Sequence, residues 1–338
     1  MDRRRKNILM IAGVAASSAA AVGIGAYFTT KYLVRLALDR QQPKIPHRAQ
    51  TRLRGYDKCA MMLEKTAPLG EKLQQTTHHL INLYSYDREL LVGHWFPCAN
   101  PKRIIVAMHG WRSSWSSDFG AIADFWKKQN CSVLYAEQRG QGQSGGRYMG
   151  FGMIERYDCL EWVKWVCTQT PAHIPVYLAG VSMGATTVLL TANMDLPKRV
   201  KGIMADCGFT SAHSIFKHVA GKNLRLPYKL HDGFANRQCI KKTGMGTRAC
   251  STVEALSESK VPVLFAHGTD DHFVPVEMTY ENYTACTAPK RLFIVPGADH
   301  GMSYFMEKER YQQAMLDFWA EFDGDSTNNA FHRSQNNV

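Results

Sequence analysis

Pro175-Val176-Tyr177-Leu178-Ala179-Gly180-Val181-Ser182-Met183-Gly184-Ala185 is the stretch on which the fold turns. Val176 to Ala179 is an apolar run behind a proline, the pattern of a buried strand. Met183 to Met194, with Ala185, Val188, Leu189 and Leu190, reads as a helix. Gly-x-Ser-x-Gly lies between them. On so tight a strand-to-helix turn, side chains at 180 and 184 would collide with neighbouring backbone, so both are glycine. The Ser182 hydroxyl is then thrust out at a helix N-terminus, where N–H groups and the helix dipole favour a developing negative charge.

A serine needs a base to take its proton and a group to orient that base. Two later loops offer them: His267-Gly268-Thr269-Asp270-Asp271-His272-Phe273-Val274-Pro275 and Pro296-Gly297-Ala298-Asp299-His300-Gly301. Each follows an apolar strand pattern, Val261–Ala266 and Arg291–Val295, and so falls on the same C-terminal sheet edge as Ser182. The order Ser, Asp, His suits this kind of turn. Ser182 is expected as nucleophile, His300 as base and then acid, and Asp271 as orienter. Asp270 and Asp206 are rival acids. His267 and His272 sit in the acid's own loop and are poor candidates to face it across a site. The oxyanion needs two N–H donors: Met183, after the nucleophile, and Trp111 in His109-Gly110-Trp111, after the strand Arg103–Gly110. His109 reads as a brace for that loop.

The rest of the chain fits around this edge. A hairpin pattern, His79–Tyr86 and Glu89–Phe96, precedes alternating strands and helices, which implies a mainly parallel sheet covered on both faces. Gly140-Gln141-Gly142-Gln143-Ser144-Gly145 matches a dinucleotide fingerprint, but no helix opens after it, and a plain loop fits better. Residues 217–250 carry eight Lys/Arg against Asp232. A solvated face explains them at least as well as a lid for an anionic substrate. No metal-ligand spacing appears, and the nine cysteines form no CxxC, as expected of buried thiols in a chain that does not rely on disulfides.

The net charge of +12 is concentrated at one end. Residues 1–54 hold eleven Lys/Arg and two acids, so the remainder is almost neutral. No basic helix interleaved with aromatics suggests nucleic acid. The basic residues instead flank an apolar run, Asn7 to Phe28, of bilayer-spanning length. A single-pass membrane anchor over residues 1–30 is expected, with the N-terminus inside and the catalytic part outside the cytoplasm. A signal peptide cut after Ala19-Ala20-Ala21 is the competing reading. Residues 31–75 are then a helical connector broken at Pro43 and Pro46, 76–322 the catalytic domain, 211–258 a short lid, and 323–338 a disordered polar tail.

Over about residues 79–322 the chain resembles the α/β-hydrolase superfamily. The resemblance rests on His109-Gly110-Trp111, Arg139 to Gly145, Gly180 to Gly184, Gly268 to Pro275 and Gly297 to Gly301. Within that superfamily it is similar to bacterial single-anchor hydrolases of the serine aminopeptidase-like and prolyl-oligopeptidase-like groups. Glu137 departs from the Asp that such relatives often carry there. The resemblance implies a mainly parallel eight-stranded sheet with helices on both faces and a short lid. It also implies hydrolysis of a small-molecule or lipid-like acyl substrate through an acyl-enzyme, with no cofactor. Substrate chemistry is not fixed by fold: a carboxylic ester leads, then a thioester or amide. A peptidase is the alternative enzyme, and a non-catalytic surface binding protein the alternative of another class.

Overall fold

In the computed structural model, residues 3–41, 43–44 and 58–323 are described, with side chains from residue 20 in the first helix and residue 64 in the second. The eight strands are β1 (His79–Tyr84), β2 (Leu90–Phe96), β3 (Arg103–Met108), β4 (Cys131–Glu137), β5 (Val176–Val181), β6 (Val200–Asp206), β7 (Val263–Gly268) and β8 (Lys290–Val295). They form one sheet in the order β1-β2-β4-β3-β5-β6-β7-β8. The β1–β2 and β2–β4 pairings are antiparallel and the other five are parallel.

The register aligns the strand ends that matter. Gly180 lies opposite Met108 on one side and Ala205 on the other. Gly268 lies opposite Val295. The loops that leave β3, β5, β7 and β8 therefore open on one edge.

Alternate residues of the central strands feed two cores. One face carries Val106, Leu134, Leu178 and Phe265 and is covered by α4 (Glu155–Gln169), α5 (Met183–Thr191) and α8 (Thr252–Glu258), with Trp162, Val188 and Leu256 fully buried. The other carries Ile105, Tyr135, Tyr177 and Leu264, beneath α3 (Trp115–Lys128) and α11 (Lys308–Phe322). Each such side chain contributes about 1.5–3 kcal/mol by leaving water. α3 begins at Trp115, where the Ser114 side chain accepts from the Ser117 N–H and caps it.

Residues 211–258 form α6 (Ala212–His218), a π-turn (Val219–Asn223), α7 (Tyr228–Thr243) and α8. Most of the lysines and arginines at 217–250 are exposed. Lys242 and Arg248 are paired, with Asp39 and Asp232, both at 2.6 Å. α9 (Glu277–Ala285) and α10 (Ser303–Met306) complete the C-terminal half.

The N-terminal helix α1 spans Arg3–Leu38 and continues past the expected anchor boundary at residue 30. Val34 and Leu38, one turn apart, are buried against the body formed around the sheet. Residues 38–40 add backbone bonds to 147–149: Arg40 N donates to Arg147 O at 2.9 Å and Met149 N to Leu38 O at 2.7 Å. α2 (Lys58–Gln75) packs on α3, where a Cβ on Gly120 would lie 2.6 Å from the Gly70 nitrogen. Pro46 and the side chains of residues 1–19, most of the expected anchor, fall outside the described residues. Among the described residues, no helix is long and apolar enough to cross a membrane. The expected tail lies outside as well, except Asp323. That residue is held in place: Arg103 pairs with it, and the Tyr177 hydroxyl donates to its Oδ1 at 2.9 Å.

Candidate active site

Ser182 sits at the junction of β5 and α5 with φ 56° and ψ −117°, a conformation L-residues avoid. The neighbouring backbone enforces it. A Cβ on Gly184 would come within 1.8 Å of the Met108 carbonyl oxygen, and one on Gly180 within 2.3 Å of the Gly184 oxygen. Ser182 N donates to Asp206 O at 2.8 Å and so ties the turn to the next strand.

Ser182 Oγ lies 2.9 Å from His300 Nε2, and His300 Nδ1 lies 2.7 Å from Asp271 Oδ2. The three expected side chains, from three separate loops, are thus joined in one hydrogen-bonded line. Asp271 accepts four hydrogen bonds. Oδ1 takes the N–H groups of Phe273 (2.9 Å) and Val274 (2.8 Å), and Oδ2 takes His300 and His267 Nε2 (3.0 Å). Burial alone would raise this carboxyl, but the His300 charge and the hydrogen bonds hold it well below the ordinary carboxylate range. For His300, burial disfavours the imidazolium, yet the facing Asp271 charge lifts the ring well above the usual histidine value. The His300 side chain is 23 % exposed, so solvent reaches it. The Phe273 ring meets it edge-on, with centroids 5.2 Å apart.

The rivals are placed elsewhere. Asp270 is exposed and takes the Thr269 hydroxyl. Asp206 is buried under the site and accepts from Ser303 Oγ at 3.0 Å. His272 is 72 % exposed and faces Asp299. His267 does bond Asp271, but from beneath, at the end of its own strand. It has no hydrogen bond to Ser182.

The loop after β3 closes on Ser182: a Cβ on Gly110 would sit 3.4 Å from that of Ser182. Gly110 N donates to Asp118 Oδ2 at 2.6 Å, and Ser113 Oγ donates to the other Asp118 oxygen. Arg112, at φ 53°, gives its N–H to Gln141 Oε1 at 2.6 Å. The Trp111 and Met183 N–H groups, the expected oxyanion donors, lie on this loop and at the first position of α5. His109 is a brace: its Nδ1 bonds the Gly110 carbonyl at 2.8 Å, and its Nε2 accepts from Gln138 N at 3.1 Å. Burial pushes that imidazole down from its ordinary value.

The glycine-rich loop at 140–146 folds onto β2, with Gly145 N donating to Leu90 O at 2.6 Å. Ser144 Oγ receives Val92 N at 2.9 Å and donates to Glu137 O at 2.6 Å. A Cβ on Gly142 would strike the Glu137 carboxylate, whose other oxygen bonds His94 at 2.8 Å.

Sequence reasoning missed Cys207. It is fully buried with φ 49°, and its sulfur lies within 4.8 Å of ring and carboxylate atoms of His300 and Asp271. This is the one metal-competent cluster among the described residues. Its Asp271 oxygens are already saturated by hydrogen bonds, and no metal is inferred. The eight cysteines of the described side chains are all free thiols.

Residues 99–233 match the family model described as serine aminopeptidase, S33. The Bacillus subtilis protein YqkD is 27% identical over 252 residues, 73% of this chain and 80% of its own. The bifunctional esterase/perhydrolase of Acinetobacter calcoaceticus is 26% identical, over 62% of this chain and 88% of its own. Among solved structures, the Pyrococcus furiosus esterase Pf2001 superposes with a TM-score of 0.62 at 22% identity, covering 75% of this chain and 94% of that one. The sheet order, the strained serine turn and these likenesses agree: the chain has the α/β-hydrolase fold.

Proposed function

We propose that the protein is a serine hydrolase that cleaves carboxylic esters through an acyl-enzyme. The observation that carries this reading is the unbroken line Ser182 Oγ–His300–Asp271 at 2.9 and 2.7 Å. His300 Nε2 takes the Ser182 proton as Oγ attacks the ester carbonyl. Asp271 keeps Nδ1 protonated and stabilises the imidazolium. The N–H groups of Met183 and Trp111 hold the oxyanion. His300 then protonates the departing alcohol, and the acyl group remains on Ser182. Water, deprotonated by His300, releases the acid and restores the serine. The reaction uses no cofactor.

Esters are favoured over peptides because two of the similar proteins are named esterases. The matched family model is that of an aminopeptidase, so peptides belong in the test. Nitrophenyl esters of graded chain length should turn over faster than amino-acid and peptide anilides, and Ser182→Ala should abolish both. Faster anilide cleavage would assign a peptidase instead.

The same reading attaches the chain to a membrane through its N-terminal run, with the catalytic body outside the cytoplasm. Val22, Ile24 and Phe28 on α1 are exposed apolar side chains, which supports it. Full-length protein should remain with membranes through an alkaline carbonate wash. A membrane-impermeant fluorophosphonate should label Ser182 in intact cells. Release by the wash counts against the anchor, and labelling only after lysis counts against the orientation.

A further inference from the structure

An open, almost wholly apolar pocket lies on the far side of Phe273 from His300. Trp111 and Phe273 are among its lining residues, and Phe273 also touches His300. α6, the π-turn and α7 form one side. The other side is α1, which contributes Leu33, Val34 and Ala37 among others. The polar lining groups are turned to the protein. Thr30 Oγ1 donates to Ala26 O at 2.6 Å and so accepts from His231 Nδ1 at 2.8 Å. The Tyr228 hydroxyl bonds His213 at 3.2 Å, and the Trp111 indole N–H donates to Ala37 O at 2.8 Å.

α1 is also fastened to the loop that closes on Ser182. Arg112 Nη2 donates to Leu36 O at 2.8 Å and to Asp39 O at 2.6 Å. These bonds, with that from Trp111, satisfy carbonyls that a helix C-terminus otherwise leaves open. Arg40 caps the Gly142 carbonyl at 2.6 Å, and Lys242 from α7 pairs with Asp39 at 2.6 Å. The helix end is therefore bonded to the oxyanion loop, the glycine-rich loop and the lid together.

We propose that the last two turns of α1, residues 30–37, are part of the substrate site. They form the wall of the pocket that holds an uncharged, apolar acyl chain while the ester carbonyl lies at Ser182. The inference rests on the serine-hydrolase reading above and adds to it the substrate class and the segment that selects it. A chain of several methylenes gains from such a pocket, and an acetyl group reaches little of it.

The test uses the full-length chain and two α1 substitutions, Val34→Trp, which fills the pocket, and Leu33→Ala, which enlarges it. Steady-state kcat/KM is measured on nitrophenyl acetate, octanoate and dodecanoate, with thermal unfolding and fluorophosphonate labelling alongside. Since one methylene in an apolar pocket is worth ~10-fold or more in selectivity, Val34→Trp should lower the octanoate-to-acetate ratio by at least about tenfold. Leu33→Ala should raise the dodecanoate-to-octanoate ratio. If Val34→Trp does not fold, Leu33→Ala decides alone. Unchanged ratios in a folded variant overturn the proposal while leaving the hydrolase reading intact. A wild type that neither labels nor hydrolyses any ester defeats the hydrolase reading itself.

Discussion

His267 Nε2 donates to Asp271 Oδ2 over 3.0 Å, to the same oxygen that receives His300 Nδ1. His267 is fully buried and also bonds Thr279 Oγ1 at 2.6 Å, so it fixes the acid from below while His300 meets it from the site. Removing this positioning residue leaves buried partners unsatisfied, a loss of about 1–3 kcal/mol. His267→Leu should therefore lower the melting temperature and kcat, with KM less affected. Since the carboxylate loses a donor, the acid limb of its rate profile should also shift. His267→Gln, which keeps a donor, should recover part of kcat. An unaltered rate profile with only reduced stability would make His267 structural alone.

The pH dependence follows from the His300–Asp271 pair. Catalysis needs neutral His300, whose pKa is raised above 6.5, so kcat/KM should climb through an acid limb on the alkaline side of that value. Asp271→Asn removes the charge that raises it and should move the limb down while cutting kcat. For stability the signs oppose. The His300 contribution is complete below the unfolded histidine value and is lost as pH rises through the raised folded value. The Asp271 contribution, from a depressed carboxyl, is present above the unfolded carboxyl value and is lost as pH falls through the folded one. Urea midpoints of wild type and Asp271→Asn should differ most between these limits.

Much of this site is legible in the sequence because its signals are local. Val176–Ala179, the turn around Ser182 and the loops at 267–275 and 296–301 each carry their own strand or turn chemistry, and a parallel sheet brings such loops to one edge. Other features are not local. Asp118 supports Gly110 only because Ser114 caps α3 and starts it at Trp115, and Cys207 meets His300 only through strand order. Val34 and Leu38 lie beyond the apolar run Asn7–Phe28, and apolar residues at helical spacing there look the same whether they face lipid or protein. The reading of residues 31–75 as a connector therefore misses the contacts that fasten α1 to Trp111 and Arg112. Separate helices within 211–258 were equally hidden, because α7 mixes polar and apolar residues around its whole circumference.

Arg112 joins the loop after β3, the proposed source of one oxyanion donor, to the end of α1, and its backbone is held at φ 53°. Arg112→Ala frees the Leu36 and Asp39 carbonyls and loosens the Trp111 N–H. A displaced oxyanion donor costs on the order of 10²-fold in rate, and a partial displacement about tenfold. kcat should fall by about that amount with KM changing less, and Arg112→Lys should restore only part of it, since a lysine cannot reproduce the fork. A rise in KM at constant kcat would assign Arg112 to ground-state binding.

The Cys207 thiol is pushed up to about 11 by burial. The reactive thiolate is therefore scarce at pH 8. Activity should persist in iodoacetamide at that pH under conditions that modify an exposed cysteine, as followed by intact mass and ester turnover. Rapid inactivation that Cys207→Ala prevents would show an accessible thiolate.

The measurement that bears most directly on Ser182 is the intact mass of the full-length protein after reaction with a fluorophosphonate. One adduct, located on Ser182 by peptide mapping, is expected. It should be absent in Ser182→Ala, strongly slowed in His300→Ala, and accompanied by complete loss of ester hydrolysis. A folded wild type that takes up no label, or is labelled at a serine other than Ser182, would contradict the account.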